Sequence, residues 1–458
     1  VTWLSTARGL LPVRRTVRIG VTGLARSGKT ALLTSLAANL LAAGAGAPTL
    51  PRLTTRLGGR SLQVSVSPAD PALARGDDAA PLPRFNVPGH LAALAADPPS
   101  WPDRTSSVSL LALDIDIGQP RLFAAMPPQR LRLEVLDYPG EWLLDLPLLG
   151  RDFRSWSGEV LDRLESQPQA HAFLAFLRSL PDTPPPEEQI VRQGHRLYRD
   201  LLNRLRADGL SMLQPGRFLM PSPGPEPSWM AFFPWSSPGA LGDLLQFRYD
   251  AYREAMRREL VTPSFGRVDR LVVLADLLSA LHAGPAAFAD AAAALDAVAR
   301  ALQRGGSLPD WLTHLLGFGI GRVAFAATKS DHVAERQRGN LAALAASLTR
   351  APLTRGADHP GGRVGAFAIA SVRCTEDLVW ALDGHPVSAV RGRVAGAARA
   401  GRSYPGVVPD RPPGPGFWEH PFLALPDFEP MRLPLAGRGG VPHLNLDALL
   451  NFLLDDLL

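Results

Sequence analysis

Apolar and polar positions along the chain fall into two rhythms. VRIGVT (17–22) is a short apolar run that ends in a glycine-containing loop, and ALLTSLAANLLAA after it keeps its apolar residues at helical spacing. Strand, loop and helix are therefore predicted in succession. SVSLLALDI (107–115) and RLRLEVLD (130–137) alternate or run apolar as two adjacent strands, the second ending in DYPG. RLVVLAD (270–276), RVAFAATKSD (322–331) and VGAFAIASVR (364–373) read as buried parallel strands, separated by an alanine-rich helical stretch and by a helix over 337–349. Such alternation predicts an α/β fold with a mostly parallel sheet flanked by helices.

Residues 151–262 break that rhythm. Helical patterns at 157–179, 186–208 and 239–260 are separated by SLPDTPPPEE and by the Pro/Gly/Ser-rich stretch 214–238, which reads as a helical insertion. Residues 44–104, rich in Gly, Pro, Ala and Asp, predict irregular surface structure with short strands around 61–67, and 374–440 are again Pro/Gly-rich. LNLDALLNFLLDDLL closes the chain as a helix whose apolar face packs back on the core. The expected division is 1–150 for the first part of the core, 151–262 for the insertion, 263–373 for the second part of the core, and 374–458 for an extension packing on the core.

Composition narrows the picture. With 458 residues, 46% of them hydrophobic, the chain can bury two or three domain cores. The apolar stretches 271–281 and 286–302 are interrupted by Asp276, Asp290, Asp296 and Arg300 before bilayer length, so no membrane-spanning helix is expected. VTWLSTARGLLPVRR has no long apolar core followed by a small-residue cleavage site; it reads as a docking segment, with a peripheral amphipathic helix as the alternative. The single cysteine, Cys374, excludes an internal disulfide framework and gives no zinc-type spacing, which fits the cytoplasm; it reads as a buried small residue. The net charge of +5 is spread along the chain, so no nucleic-acid partner is expected. Of the 48 basic residues only two are lysine, Lys29 and Lys329. A chain that makes its surface with arginine keeps lysine where a compact ammonium on a slim stem is needed.

Both lysines lie in nucleotide-binding patterns. GLARSGKT (23–30) fits G-x-x-x-x-G-K-[ST] between a predicted strand and helix. Gly23 and Gly28 let the backbone turn, the amides from Arg26 and Ser27 through Ala31 face phosphate, Lys29 neutralises the β/γ charge, and Thr30 offers a hydroxyl to Mg²⁺. An ordinary glycine-rich turn is the plainer alternative. Arg26 reads either as an internal arginine finger or as a surface arginine. In DYPG (137–140), Asp137 stands where a Mg²⁺ ligand belongs and Gly140 where an amide senses the γ-phosphate; a simple β-turn is the alternative. Glu141 follows in a water-orienting position, with a structural role equally open.

TKSD (328–331) resembles the guanine-recognition pattern [NT]-K-x-D, in which Asp331 accepts from guanine N1 and N2, the Lys329 stem packs along the base, and Thr328 opens the loop. The alternative is an exposed loop with a capping Asp. In ASVR, the backbone of Ser371, Val372 and Arg373 completes the base pocket. Thr105 is the candidate first-switch threonine on Mg²⁺, with Ser106, Ser107 and Thr55 as competitors.

Together these residues resemble the YcjX family of bacterial P-loop NTPases. The resemblance is carried by GLARSGKTALLTSL, LDYPGEWLLDLPLL, VDRLVVLADLLSALHAG, ATKSDHV, ASVRCTED and VPHLNLDALLNFLLDDLL. It implies a Ras-like GTPase core with a helical insertion, GTP/GDP and Mg²⁺ as ligands, and a stress-related switch, cytoplasmic or membrane-peripheral. A protein partner acting on the insertion is the expected readout. ATP hydrolysis on the same fold, or a nucleotide-gated scaffold without hydrolysis, are the competing expectations.

Overall fold

The computed structural model describes residues 15–24, 26–67, 83–102, 109–119, 128–138, 144–208, 210, 213–219, 226–261, 268–303, 321–351, 364–397, 399–419, 425–434 and 439–458. The chain divides into two compact units, one of residues 1–138, 267–284 and 317–458, the other of 139–266 and 285–316.

In the first unit, seven strands of the described residues form one sheet: β1 (Arg15–Gly23), β2 (Leu62–Val66), β3 (Ser109–Ile117), β4 (Gln129–Asp137), β5 (Arg270–Ala275), β6 (Arg322–Ala327) and β7 (Val364–Ala368), in the order β2-β3-β4-β1-β5-β6-β7. From β4 to β7 the neighbours are parallel; β3 runs antiparallel to both β2 and β4. Period-2 alternation sorts the side chains. Ile19, Val21, Leu133, Val135, Val272, Leu274, Ala324 and Ala326 share one core with Leu32, Leu36 and Leu40 of helix Lys29–Gly44 and with Leu446, Leu450 and Leu453 of helix Leu446–Leu454.

Arginines fix the last helix in place. Arg270 and Arg322, buried at the starts of β5 and β6, donate to the carbonyls of Leu453 (3.1 Å) and Phe452 (2.6 Å). Arg270 also pairs with Asp456 at 2.6 Å, and Arg56 donates to the Asp455 carbonyl at 2.7 Å. Guanidinium groups thus satisfy the carbonyls that a helix end leaves without intrahelical donors, and their charge suits that end of the dipole.

On the opposite sheet face Glu134 is fully buried between two guanidinium groups, with Arg18 and Arg132 each at 2.9 Å. Arg18 and Glu134 are register partners on β1 and β4.

A smaller antiparallel sheet, β8 (Thr375–Leu382), β9 (His385–Arg393) and β10 (Ala400–Ser403), in the order β10-β9-β8, occupies part of the Pro/Gly-rich stretch 374–440. Its hairpin turns at Asp383 and Gly384, with φ of 49° and 82°; positive φ at both positions matches the twist of the flanking strands. Likewise 44–104 holds helices Pro51–Arg56 and Val87–Ala95 beside the expected strand near 61–67.

The second unit is held by aromatic residues. Trp156 stacks on Tyr249 at 5.1 Å and meets Phe232 edge-on, while Tyr198, Phe173 and Phe218 close the cluster. Within it Asp145 is completely buried, accepting from Tyr252 Oη (2.6 Å) and from the amides of Gly216 (2.7 Å) and Arg217 (3.2 Å). The expected boundaries shift in two places, the first being residues 139–150, expected in the first part of the core, which fall in this unit. Helix Pro285–Gln303, assigned from its alanine-rich pattern to the second part of the core, belongs to this unit, because it packs on the 3-10 turn Leu146–Gly150. Among the described residues no helix is long and apolar enough to cross a membrane.

Candidate nucleotide site

Parallel strands bring their carboxyl ends to one edge of a sheet, and in open α/β sheets that edge is where ligands bind. On that edge stand Gly23 after β1, Asp137 closing β4, Asp276 after β5, Thr328 after β6 and the loop beyond β7. Strand register fixes their spacing: Val21 pairs with Asp137, Gly23 with Leu274, Ala275 with Ala327, and Ala327 with Ala368. The two motifs that carry lysine are therefore two strands apart, with Asp137 on the far side of β1.

The phosphate loop is built by its glycines. A Cβ on Gly23 would stand 2.5 Å from the Leu274 carbonyl and 2.6 Å from Ser27 Oγ, so only glycine fits there. Arg26 and Gly28 both have left-handed backbone, with φ of 60° and 81°. Gly28 has open space around it, and helix Lys29–Gly44 starts directly after it with no side-chain cap. Helix geometry then directs the first-turn amides, Ala31 included, out of the N-terminal end towards a ligand.

Lys29 folds back so that its Nζ donates to the Gly23 carbonyl at 3.4 Å, which holds the ammonium across the loop. Arg26 is exposed on the loop. Ser27 Oγ is buried and has no hydrogen-bond partner among the described residues, a polar atom that a phosphate oxygen would satisfy.

Thr30 lies half-buried at the helix start, and Asp137 is buried beside β1. A hydroxyl and a carboxylate are hard oxygen donors of the kind that Mg²⁺ takes, so the donor set fits that ion. Tyr138, next to Asp137, donates its amide to the Val21 carbonyl at 2.8 Å, and burial pushes its phenol far above the usual range. Thr105, Gly140 and Glu141 lie outside the described residues.

The TKSD loop is pinned from three sides. Thr328 donates its amide to the Ala275 carbonyl (2.9 Å), and the Ser330 amide bonds to Ile369 (3.0 Å). Lys329, at φ 57°, reaches Asp276 Oδ2 at 2.6 Å and Ser279 Oγ at 3.3 Å. Asp331 is buried, and its Oδ2 accepts from the Cys374 amide at 2.7 Å and from Cys374 Sγ at 2.9 Å. The loop after β7 is anchored by Leu444 and Pro442: the Ala370 amide donates to Leu444 O (3.0 Å) and the Arg373 amide to Pro442 O (2.7 Å). Ser371 and Val372 are buried between those anchors, and the Arg373 guanidinium turns away to Asp377 at 3.1 Å.

Three groups at this edge escaped the sequence reading. Asp276, which pairs with Lys329, sits at the end of an apolar strand, a position as telling as that of Asp137. His332 follows Asp331 directly in the chain, but Cys374 joins the pair only in space, from 42 or more residues away, and no spacing rule reaches that far.

A strand, a loop closed by two left-handed residues and a helix that opens with Lys29 and Thr30, at the carboxyl edge of a mostly parallel sheet, define a P-loop NTPase fold. The chain belongs to the YcjX-like family, DUF463, whose profile matches residues 17–458. It is 33% identical over 463 residues to the Ras-like GTPase YcjX of Escherichia coli, covering 97% of each chain. To the Ras-like GTPase YcjX of Shewanella oneidensis it is 31% identical over 467 residues, covering 97% of this chain and 95% of the relative.

Proposed function

We propose that this chain binds GTP and GDP together with Mg²⁺ and hydrolyses GTP as a stress-related molecular switch. The observation that carries the reading is the convergence of the phosphate loop, Asp137 and the TKSD loop on one sheet edge, with a carboxylate, Asp331, held in a fixed orientation at its base-reading end. The printed name of both relatives, Ras-like GTPase, supports it.

In this reading Lys29 and the amides from Arg26 to Ala31 take up the β/γ charge. Thr30 and Asp137, with Thr105, would hold Mg²⁺, which when bound neutralises charge on the phosphates. Asp331 accepts from guanine N1 and N2, the Lys329 stem lies along the base, and the backbone of Ser371, Val372 and Arg373 closes the pocket. Gly140 senses the γ-phosphate, Glu141 orients the attacking water, and the exposed Arg26 reaches the phosphates as an internal arginine finger. From the second-switch segment the chain runs straight into the helical unit, through which a change at Gly140 reaches a protein partner in the cytoplasm or at a membrane surface.

Fluorescent GDP and ADP, titrated into the wild type and into Asp331→Asn in Mg²⁺ buffer, test the reading. GDP is expected to bind about a hundredfold more tightly than ADP, a preference that the variant loses because buried base donors are left unpaired. Equal binding of ADP, unchanged by the substitution, would make the protein an ATPase with an unrelated TKSD loop.

A further inference from the structure

Next to the base-reading carboxylate three buried donor atoms of different chemistry converge. Cys374 Sγ lies 2.9 Å from Asp331 Oδ2 and 3.5 Å from His332 Nε2, and the three ligating atoms all fall within 4.8 Å of one another. Neighbouring ligand atoms around a tetrahedral Zn²⁺ stand about 3.3–3.7 Å apart, given bonds of about 2.0 Å to N or O and 2.3 Å to S. The sulfur and the imidazole already meet that spacing. The carboxylate oxygen, 2.9 Å from the sulfur, has to retreat by roughly half an ångström or slightly more once the thiol proton between it and the sulfur is gone.

We propose that Asp331, His332 and Cys374 form a zinc site. One thiolate, one imidazole and one carboxylate are a borderline-soft set that suits Zn²⁺ and does not suit Mg²⁺, so the ion that serves the phosphates does not compete here. Burial keeps the His332 imidazole neutral, the form that ligates. Burial and the Asp331 carboxylate hold the proton on Cys374 Sγ; the metal replaces it, an S–Zn bond forms where the S–H bond breaks, and one proton leaves to solvent.

Solvent-accessible space lies next to the cluster on its Cys374 side. A groove of about 500 Å³ reaches Cys374 between Glu376, Arg391, Gly392 and Glu429. The site is also mechanically supported, because the Cys374 amide and the Thr375 hydroxyl hold the Asp331 carboxylate and carbonyl, and the His332 ring packs edge-on against Phe428 at 5.1 Å.

The consequence rests on the proposed function. If Asp331 reads guanine, a zinc ion that takes the same carboxylate withdraws it from the base, so Zn²⁺ and guanine nucleotide bind in competition. Zinc availability would then set how much of the protein carries nucleotide.

Co²⁺ and Zn²⁺ titrations of the full chain, freed of nucleotide and metal, test the site. Co²⁺ is expected to give a thiolate-to-metal charge-transfer band that saturates at one equivalent, and Zn²⁺ to displace it. Cys374→Ser is expected to abolish the band and weaken Zn²⁺ roughly a hundredfold, His332→Gln to weaken it similarly. Circular dichroism confirms that the variants fold. No band in the wild type, or equal Zn²⁺ affinity in the folded Cys374→Ser chain, overturns the site. Fluorescent GDP at saturating Mg²⁺, with and without one equivalent of Zn²⁺, tests the competition. A GDP affinity about tenfold lower with Zn²⁺ in the wild type, and unaffected by it in Cys374→Ser, supports the coupling. Zinc binding with unchanged GDP affinity overturns the competition while leaving the site standing, whereas no guanine preference with or without metal overturns the proposed function itself.

Discussion

Lys329 Nζ stands 2.6 Å from Asp276 Oδ2, tying the loop after β6 to the end of β5. The same carboxylate caps helix Leu277–His282, accepting from the Ser279 amide at 3.0 Å and the Ser279 hydroxyl at 2.6 Å. One aspartate therefore starts a helix and positions one of the two lysines. The other lysine, Lys29, reaches back to the Gly23 carbonyl. Each surviving lysine bonds a group at the end of a strand, where a broad guanidinium fork would need more room.

Asp276→Asn keeps a capping side chain and removes the charge partner of Lys329. GDP dissociation is expected to accelerate roughly tenfold while the urea midpoint falls only slightly, since Lys329 is partly solvated and can turn to water although Asp276 is buried. Asp276→Ala also loses the cap and is expected to cost about 1 kcal/mol more. Stopped-flow release of fluorescent GDP, run beside urea unfolding, separates the two effects. Equal release rates in wild type and Asp276→Asn would mean that Lys329 does not need the pair.

Glu134 is the buried counter-ion of two half-buried arginines, so its removal leaves two unpaired positive charges facing each other across β1 and β4. Glu134→Gln is expected to destabilise the first unit by about 3–5 kcal/mol, the range for breaking a buried pair by deleting one partner. Chemical unfolding reads the loss directly. A change below about 1 kcal/mol would show that water reaches Arg18 and Arg132 and solvates them.

How much of this was legible in the sequence depends on the range of the interaction. The order of apolar strands and the P-loop were readable because each rests on spacing within some ten residues. The Asp383-Gly384 turn was equally readable, flanked by LVWAL and HPVSAV, but the surrounding Pro and Gly content hid it. Helix Pro285–Gln303 was readable as a helix but not its unit, because an alanine-rich apolar stripe says only that a helix is covered and not by what. The Asp331, His332 and Cys374 cluster needed the fold, since β7 must lie beside β6 before the cysteine meets the aspartate.

Asp145 ties the acidity of the solution to the second unit. Burial pushes its pKa from 3.8 up to about 6, against the lowering effect of the bonds from Tyr252, Gly216 and Arg217. Between about pH 4 and pH 6 the native state holds a proton that the unfolded state has released, so stability is expected to fall as pH rises through that window, by about 3 kcal/mol in total. Asp145→Asn, which cannot ionise, is expected to flatten that slope even if it lowers stability at every pH. Urea midpoints measured from pH 4 to pH 7 check it; a parallel slope in the variant would assign the titration to another group.

Gly23 and Gly28 separate two reasons for glycine in one loop. At Gly28 there is space for a methyl group, and alanine there meets only the cost of left-handed backbone, about 1–2 kcal/mol. At Gly23 the backbone is ordinary, but a methyl group would collide with the Leu274 carbonyl, so β1 and β5 must part or the loop must shift. Gly28→Ala is therefore expected to fold with a slightly lower urea midpoint and to bind nucleotide more weakly by about tenfold, a loss of about 1.4 kcal/mol if the strain is relieved by moving the amides. Gly23→Ala is expected to lose more stability, because its strain falls on two strands of the sheet and not on the loop alone. Should Gly23→Ala be the milder of the two, the contact between β1 and Leu274 yields more easily than the loop does, and the phosphate cradle is held by its own turns and not by the sheet beneath it.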